Sequence, residues 1–116
     1  MSKHDPEISL SQILAYAREA VEISSGKTRQ DLDRDRLLNL ALTRLLEILG
    51  EAANRVPEDI RTQYPDLPWL QMIAVRNRLI HGYDSVDLDV LWVIIQNDLP
   101  VLIIRLQEIL STGKQF

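Results

Sequence analysis

Apolar residues recur every three to four positions along most of the chain, which is the pattern of helices with one buried face. The first such segment opens with Ser9-Leu10-Ser11-Gln12, which has the form of a capping box. Gly26 stands where a left-handed C-cap residue is needed. We therefore expect a first helix from Ser9 to about Ser25, whose stripe of apolar and small residues holds Ile13, Leu14, Ala17, Ala20, Val21 and Ser24.

The second long helix is predicted to begin near Asp33 or Asp35 and to end at about Arg55. The polar stretch ahead of it is a connection with room for a single turn capped by Thr28. Gly50 lies inside this helix, where glycine costs about 1 kcal/mol relative to alanine, so we expect another helix to approach closely there. The broad apolar face comprises Leu37, Leu38, Ala41, Leu42, Leu45, Ile48, Leu49 and Ala52.

Prolines and glycines divide the second half of the chain. The segment from Pro57 to Pro68 is predicted to be a structured loop with one short turn around residues 58–64. Pro68 suits the first position of a third helix, which is expected to run from Trp69 to about Ile80 and to end at Gly82. Its buried side should consist of Trp69, Met72, Ile73 and either Leu79 or Ile80.

The last helix is predicted to start after Asp87, its N-cap, and to reach Gly113. Pro100 should kink it, because proline removes the hydrogen bond to the Gln96 carbonyl. The main apolar stripe holds Leu88, Leu91, Trp92, Ile95, Leu99, Leu102, Leu106 and Leu110, and a second face carries Ile94, Val101, Ile103 and Ile104. This helix is either the centre of the core or the seam of a dimer, and both interpretations remain open at the level of sequence.

The composition agrees with a helical fold. Nineteen Leu stand against seven Val, only four Gly are present, and aromatic residues make up 5% of the chain. Leucine loses little side-chain freedom on a helix, so this balance disfavours a sheet-based fold. A chain of 116 residues suffices for one core. We expect an all-α protein: an antiparallel bundle of four principal helices with short extra helical turns, forming a single domain over residues 1–116.

Charge and residue content exclude several classes of function. The net charge of −4 excludes nucleic-acid binding by bulk positive charge. The absence of Cys excludes disulfides, thiolate nucleophiles, Cys-ligated zinc and iron–sulfur clusters, and His4 and His81 are too few for a multi-His metal site in one chain. We expect no metal or cofactor. No signal peptide or membrane-spanning apolar run is apparent, so we expect a soluble, cytoplasmic protein.

The candidate chemistry is concentrated in Arg76-Asn77-Arg78-Leu79-Ile80-His81-Gly82-Tyr83, a local positive patch at a predicted helix end. On an ideal helix Arg76 and His81 would lie about 140° apart. Their convergence therefore requires the helix to break at Gly82, or a partner chain. Each residue also has a purely structural interpretation. The arginines can be solvated cations near the helix C-terminus, His81 can cap that terminus, and Tyr83 can be an aromatic residue of the turn. Glu51 is either a solvated carboxylate or a partner that orients Arg76 or His81.

The order of several motifs along the chain supplies further information. Residues 45–57 read LLEILGEAANRVP, residues 64–69 read YPDLPW, and residues 76–83 read RNRLIHGY. Val86-Asp87-Leu88-Asp89 and Asn97-Asp98-Leu99-Pro100 follow. Together these blocks resemble the HepT-like branch of the HEPN superfamily, over nearly the whole chain. The most specific element is Arg76-x4-His81-x-Tyr83.

This resemblance implies a small helical endoribonuclease that needs no metal and acts as the toxin of a toxin–antitoxin pair. It implies a homodimer, and an MntA-like nucleotidyltransferase antitoxin that adds AMP to the motif tyrosine. Carried over by position, Arg76 and His81 form the catalytic pair, Asn77 supports them, and Tyr83 is the site of AMPylation. Arg78 is expected to contact RNA, and Glu51 to support the site.

The residue types suit RNA cleavage. RNA carries its own nucleophile, the 2′-hydroxyl, so the enzyme needs a base, an acid and a cation for the charge on phosphate. One imidazole cannot be base and acid in the same step, and the motif has a single histidine, so a second chain would supply the other. The alternative function is a non-catalytic HEPN-type adaptor that binds a nucleotidyltransferase partner or a nucleotide. An adaptor has no need of Arg76, His81 and Tyr83 together.

Overall fold

A computed structural model describes residues 5–81 and 85–112. The helices are α1 (Pro6–Ser24), α2 (Arg29–Arg34), α3 (Arg36–Arg55), α4 (Glu58–Gln63), α5 (Trp69–Ile73), α6 (Val75–Leu79), α7 (Leu88–Val93) and α8 (Leu99–Ser111). Two short strands, β1 (Ile80–His81) and β2 (Ser85–Val86), lie between α6 and α7, and a π-helical turn (Ile94–Asp98) joins α7 to α8. The prediction of an all-α bundle is confirmed. Predictions that fall on His4, Gly82, Tyr83 and Gly113 lie outside the described residues.

The first helix begins one turn earlier than the capping pattern predicts. Asp5 is the N-cap, and its carboxylate accepts a hydrogen bond from the Glu7 backbone N–H at 2.9 Å. Pro6 occupies the first helical position, where its missing N–H costs nothing. Ser9 is buried inside the helix, so its predicted role as N-cap is wrong. The helix ends as predicted, with Gly26 at a φ of +78°.

Side-chain caps set the start of the next two helices. Thr28 and Asp31 form a capping box at α2, with the Thr28 backbone N–H donating to the Asp31 carboxylate at 2.7 Å. Asp35 caps α3 by accepting from the Leu38 N–H at 3.1 Å. These starts confirm the predictions from Thr28 and Asp35. Leu37 is 80% exposed, however, and Ala41 is exposed as well, so the prediction that these two residues belong to the apolar face is wrong.

The glycine inside α3 is the point of closest helix approach. A β-carbon on Gly50 would lie 2.6 Å from the Met72 carbonyl oxygen and 2.9 Å from Val75 Cγ1. The close approach expected from the sequence is therefore confirmed. The predicted third helix divides at Ala74 into α5 and α6, and this junction packs against Gly50.

The last helix is disturbed just ahead of Pro100. Residues Ile94–Asp98 form a π-helical turn, in which the Leu99 N–H donates to the Ile94 carbonyl. Proline has no N–H to continue the α-helical ladder and its ring needs room beside the preceding turn, which a wide turn provides. The predicted irregularity at Pro100 thus takes the form of a π-helical turn.

The core lies between α1, α3 and the last helix, with α5 and α6 packed on α3. Its fully buried aliphatic residues include Leu10, Ile13, Leu32, Leu42, Leu46, Leu79, Leu91, Ile95, Leu106 and Ile109. The last helix is both a core helix and a surface helix, because Ile94 and Ile95 are buried whereas Val101 and Ile104 are 68% and 58% exposed. None of the described helices combines the length and apolar character needed to cross a membrane.

Candidate functional site

The motif begins on the short helix α6. Val75 and Leu79, one helical turn apart, are 4% and 1% exposed and anchor this helix in the core. Between them lie Arg76, Asn77 and Arg78, three candidate site residues predicted from the sequence. All three are exposed. The helix therefore exposes two guanidinium groups and an amide to solvent, while its two apolar residues are buried in the core.

The chain leaves the helix earlier than predicted. α6 ends at Leu79, and His81 lies on strand β1, where its backbone pairs with Ser85 of β2. The expected break at Gly82 thus falls before His81, so Arg76 and His81 do not share a continuous helix and the 140° separation does not apply. The Asp87 N–H donates to the Leu79 carbonyl at 2.6 Å, which closes the base of this hairpin. Tyr83 belongs to the part of the hairpin outside the described residues.

The side chain of Arg76 lines a groove between α6 and α3, which we call the Arg76 groove. Its volume is 310 Å³, and its lining comprises Arg44, Glu47, Gly50, Glu51, Asn54, Ile73, Val75 and Arg76. The structure therefore brings Glu51 and Arg76, selected separately from the sequence, to one groove. The close contact of Gly50 with Met72 and Val75 is what brings these two helices together.

Charges in the Arg76 groove balance one another. Arg44 Nη1 lies 3.4 Å from Glu47 Oε1 and 3.8 Å from Glu51 Oε2, so both carboxylates face a cation of their own helix. Within the described part of the chain, Arg76 forms no ion pair. Glu51 lies on the α3 wall of the groove and Arg76 on the α6 wall, and no ion pair joins the two.

Arg78 lines a different cavity, on the other side of α6, which we call the Arg78 cleft. This cleft has a volume of 510 Å³ and lies between α3, α5, the π-helical turn and α8. Its floor is apolar, with Leu46, Leu49, Met72, Val75, Ile94 and Leu102, and Arg78, Asn97, Asp98, Asp66 and Arg105 supply its charged and polar groups. The structure thus assigns the two arginines of the motif to separate surfaces.

An ion pair lies among the lining residues of the Arg78 cleft. Arg105 Nε donates to Asp66 Oδ2 at 2.6 Å, and the Arg105 guanidinium also lies 5.8 Å from the centre of the Tyr64 ring. The hydrogen bond from Arg105 lowers the pKa of the Asp66 carboxyl. This pair links the loop before α5 to α8.

Some residues of the groove and the cleft are not among the candidate site residues predicted from the sequence. Arg44, Glu47, Glu51 and Asn54 follow one another at intervals of three, four and three residues. This helical spacing places all four on one face of α3, so it is the signal that could have identified them. Asn97 and Asp98 lie next to the proline that predicted a disturbed helix. No group of three potential metal-ligating side chains occurs within residues 5–81 and 85–112.

Comparison with known proteins assigns the family. The ribonuclease HepT-like family matches residues 13–109. The protein assigned as ribonuclease HepT in Thermococcus cleftensis is 39% identical over 88 residues, which cover 72% of this chain and 80% of that protein. A protein assigned as an RNase in Methanocaldococcus jannaschii is 35% identical over 100 residues, covering 86% of this chain and 92% of that protein.

A third relative extends the comparison. A protein assigned as an RNase in Caldanaerobacter subterraneus is 32% identical over 109 residues, covering 94% of this chain and 97% of that protein. No solved structure matches the chain at a comparable level of significance. The helical bundle, the motif on α6 and β1, and these matches over most of the chain together show that the protein belongs to the HepT-like ribonuclease family of the HEPN type.

Proposed function

We propose that this protein is a metal-independent endoribonuclease toxin that cleaves RNA by attack of the 2′-hydroxyl on the adjacent phosphate. The observation that carries the proposal is the placement of Arg76. Its exposed guanidinium lines a groove, and the chain reverses direction only a few residues later, at the strand that contains His81. A cation for phosphate and an imidazole for proton transfer are thus kept on adjoining short elements.

Each residue has a defined task in the proposed reaction. The His81 imidazole removes the 2′-hydroxyl proton, the 2′-oxygen forms a bond to phosphorus, and the bond from phosphorus to the 5′-oxygen breaks. The leaving oxygen receives a proton from an imidazolium of the second chain. Arg76 donates to the non-bridging phosphate oxygens, where negative charge accumulates in the transition state. The products carry a 2′,3′-cyclic phosphate and a 5′-hydroxyl.

Three further residues support this reaction. Asn77, exposed beside Arg76, supplies an amide to the phosphate or to the imidazole. Glu51 orients Arg76 across the groove that both residues line. Arg78 contacts RNA on the side of α6 that faces away from the Arg76 groove. Because the chain carries a net charge of −4, RNA association depends on these local cations.

The proposed assembly is a homodimer controlled by an MntA-like nucleotidyltransferase antitoxin. Dimerisation supplies the second histidine, and the exposed Val101 and Ile104 supply apolar surface for it. The antitoxin transfers AMP from ATP to Tyr83: the phenol oxygen forms a bond to the α-phosphorus, pyrophosphate leaves, and the phenol proton is released. The phosphodiester that results places negative charge beside the motif cations and competes with RNA phosphate.

The direct test is cleavage of RNA by purified protein in EDTA, with analysis of the product ends. We expect activity to persist in EDTA and to yield 2′,3′-cyclic phosphates. Arg76→Ala and His81→Ala should each lose most activity, about a hundredfold or more, with unchanged circular dichroism. Arg18→Ala, which removes an exposed arginine of α1, is the matched control. Loss of activity in EDTA, or 3′-hydroxyl products, would refute the mechanism, and nucleotidyltransferase binding without cleavage would favour the adaptor function.

A further inference from the structure

The short helix ahead of α3 contacts the helix that follows the hairpin of β1 and β2, which we call the motif hairpin. α2 is only six residues long, yet it packs on both α3 and α7. α7 follows the motif hairpin directly, because Asp87 alone separates strand β2 from the first residue of α7. α2 therefore lies against the element that continues from the motif hairpin.

Arg29 of α2 forms the polar contact between these two helices. Its Nε donates to Asp89 Oδ1 at 2.8 Å, and its Nη1 donates to Asp33 Oδ1, one turn further along α2, at 3.2 Å. The Arg29 side chain is 32% exposed and the Asp89 side chain is 83% exposed. An ion pair so open to solvent adds little to the overall stability of a protein. Its consequence is therefore local, on the first turn of α7.

Two further hydrogen bonds continue from Asp89 to the motif. The Asp89 backbone N–H donates to the Asp87 carboxylate at 3.1 Å, and the Asp87 N–H donates to the Leu79 carbonyl at 2.6 Å. Leu79 ends α6, and His81 lies two residues later on β1. A series of three hydrogen bonds thus leads from Arg29 to the residue at which the chain leaves the motif helix.

α2 is itself anchored in the molecule. Leu32 is fully buried, and its carbonyl accepts from Asn39 Nδ2 of α3 at 3.0 Å. The capping box of Thr28 and Asp31 fixes the start of the helix, directly before Arg29. A guanidinium on such an anchored helix can restrain the element that it contacts, whereas one on a free loop would move with that element.

We propose that Arg29 is a positioning residue for the motif. Through Asp89 it holds the first turn of α7, and through Asp87 it holds the base of the motif hairpin in the orientation in which His81 transfers a proton. This inference rests on the ribonuclease activity of the proposed function. Proton transfer requires a hydrogen-bond distance between the imidazole and the hydroxyl, so a displacement of about 1 Å at the hairpin is enough to slow the reaction.

Steady-state RNA cleavage by Arg29→Gln and Asp89→Asn tests this role. Each variant should lower kcat by about tenfold with little change in KM or in the melting temperature, because the lost contact is exposed and positions the hairpin without binding RNA. Combining both substitutions should cost no more than either alone, since each removes the same hydrogen bond. Asp33→Asn is the matched control, because it removes the partner of Arg29 within α2 and should leave kcat unchanged.

Amide hydrogen exchange reports on the motif hairpin and requires no nuclease activity. The Asp87 amide proton, which is bonded to the Leu79 carbonyl, should exchange about tenfold faster in Arg29→Gln and in Asp89→Asn than in the unmodified protein. The amide of Ile13, a fully buried residue of α1, is the internal control and should exchange at an unchanged rate. Exchange at Asp87 that is equally slow in all three proteins would overturn the proposal.

Other roles of Arg29 give different results. If its guanidinium binds RNA, Arg29→Gln will raise KM, whereas Asp89→Asn, which removes an acidic group, will leave kcat unchanged, and this pattern would overturn the proposal. Faster exchange at Asp87 with unchanged kcat would also overturn it, because the contact would then have no bearing on catalysis. Cleavage by the unmodified protein tests the ribonuclease proposal separately, so its failure is distinct from these outcomes.

Discussion

Gly50 of α3 packs against the carbonyl oxygen of Met72, leaving no space for a side chain between them. A β-carbon on Gly50 would lie only 2.6 Å from that oxygen, well inside van der Waals contact. This contact sets the distance between α3 and the α5–α6 junction. It therefore also sets the spacing of Glu51 and Arg76, which follow Gly50 and Val75 directly and line the same groove.

Gly50→Ala is expected to destabilise the protein by about 1–3 kcal/mol, because the backbone of Met72 must move to admit the methyl group. Helix propensity alone would give the opposite sign, a gain of up to about 1 kcal/mol. Chemical denaturation measures the difference. Ala41→Gly, at an exposed position of the same helix, is the control and should lose about 1 kcal/mol. A variant at Gly50 as stable as the unmodified protein would contradict the close contact.

Glu51→Gln should lower kcat for RNA cleavage by about tenfold with little change in KM, if Glu51 orients Arg76. Its stability should change little, because its partner Arg44 lies 3.8 Å away at the surface. The change should add nothing to the loss caused by Arg76→Ala, since both act through one guanidinium. Additive losses would show that the two residues act independently. Glu22→Gln, an exposed carboxylate of α1, is the control.

Tyr83→Phe should abolish AMPylation by the cognate nucleotidyltransferase and leave the ribonuclease uncontrolled, because the phenol oxygen that accepts the AMP is removed. Intact mass measurement after co-expression detects the modification directly. Tyr16→Phe, which changes a tyrosine of α1, is the control, and this variant should still receive AMP. Added mass on the Tyr83→Phe protein, together with loss of its activity, would place the control site at another residue.

Asp87→Ala should reduce both stability and activity. Asp87 caps α7 by accepting from the N–H groups of Asp89 and Val90, each at 3.1 Å, while its own N–H closes the motif hairpin. Loss of an N-cap costs about 0.5–2 kcal/mol. Asp87→Ser retains a capping oxygen and should restore most of the stability. Unfolding midpoints and cleavage rates measured on both variants test this, and equal stability of Ala and Ser would contradict the cap.

The Asp66–Arg105 pair should stabilise the protein only above the pH at which Asp66 titrates. Because the hydrogen bond from Arg105 lowers the Asp66 pKa in the folded state, the contribution is complete above the unfolded value of about 4 and is lost as the pH falls below it. Asp66→Asn should therefore lower the melting temperature slightly at pH 7. The difference should shrink as the pH falls and Asp66 becomes protonated, and a difference that grows at low pH would contradict the assignment.

Local rules were sufficient for most of the helix boundaries. Thr28, Asp35 and Asp87 act as caps where the sequence predicted them, because capping depends on hydrogen bonds across two or three residues. Ser9 failed as a cap because Asp5 and Pro6 offer a better start one turn earlier. The same local reasoning identified the candidate residues Arg76, Asn77, Arg78 and Glu51, since residue type and spacing are properties of the sequence.

The sequence by itself determined the helical class, the turns and the residues with suitable chemistry, because periodicity and capping are encoded within a few neighbouring positions. Only the tertiary structure decided which of these residues meet. Arg76 and Arg78, two positions apart on α6, line different cavities: α3 and α6 enclose the first, whereas the π-helical turn and α8 complete the second. Glu51 and Arg76 line one groove because Gly50 allows α3 to approach α6 closely. Such proximity between residues far apart in sequence depends on packing, which the pattern of neighbouring positions does not encode.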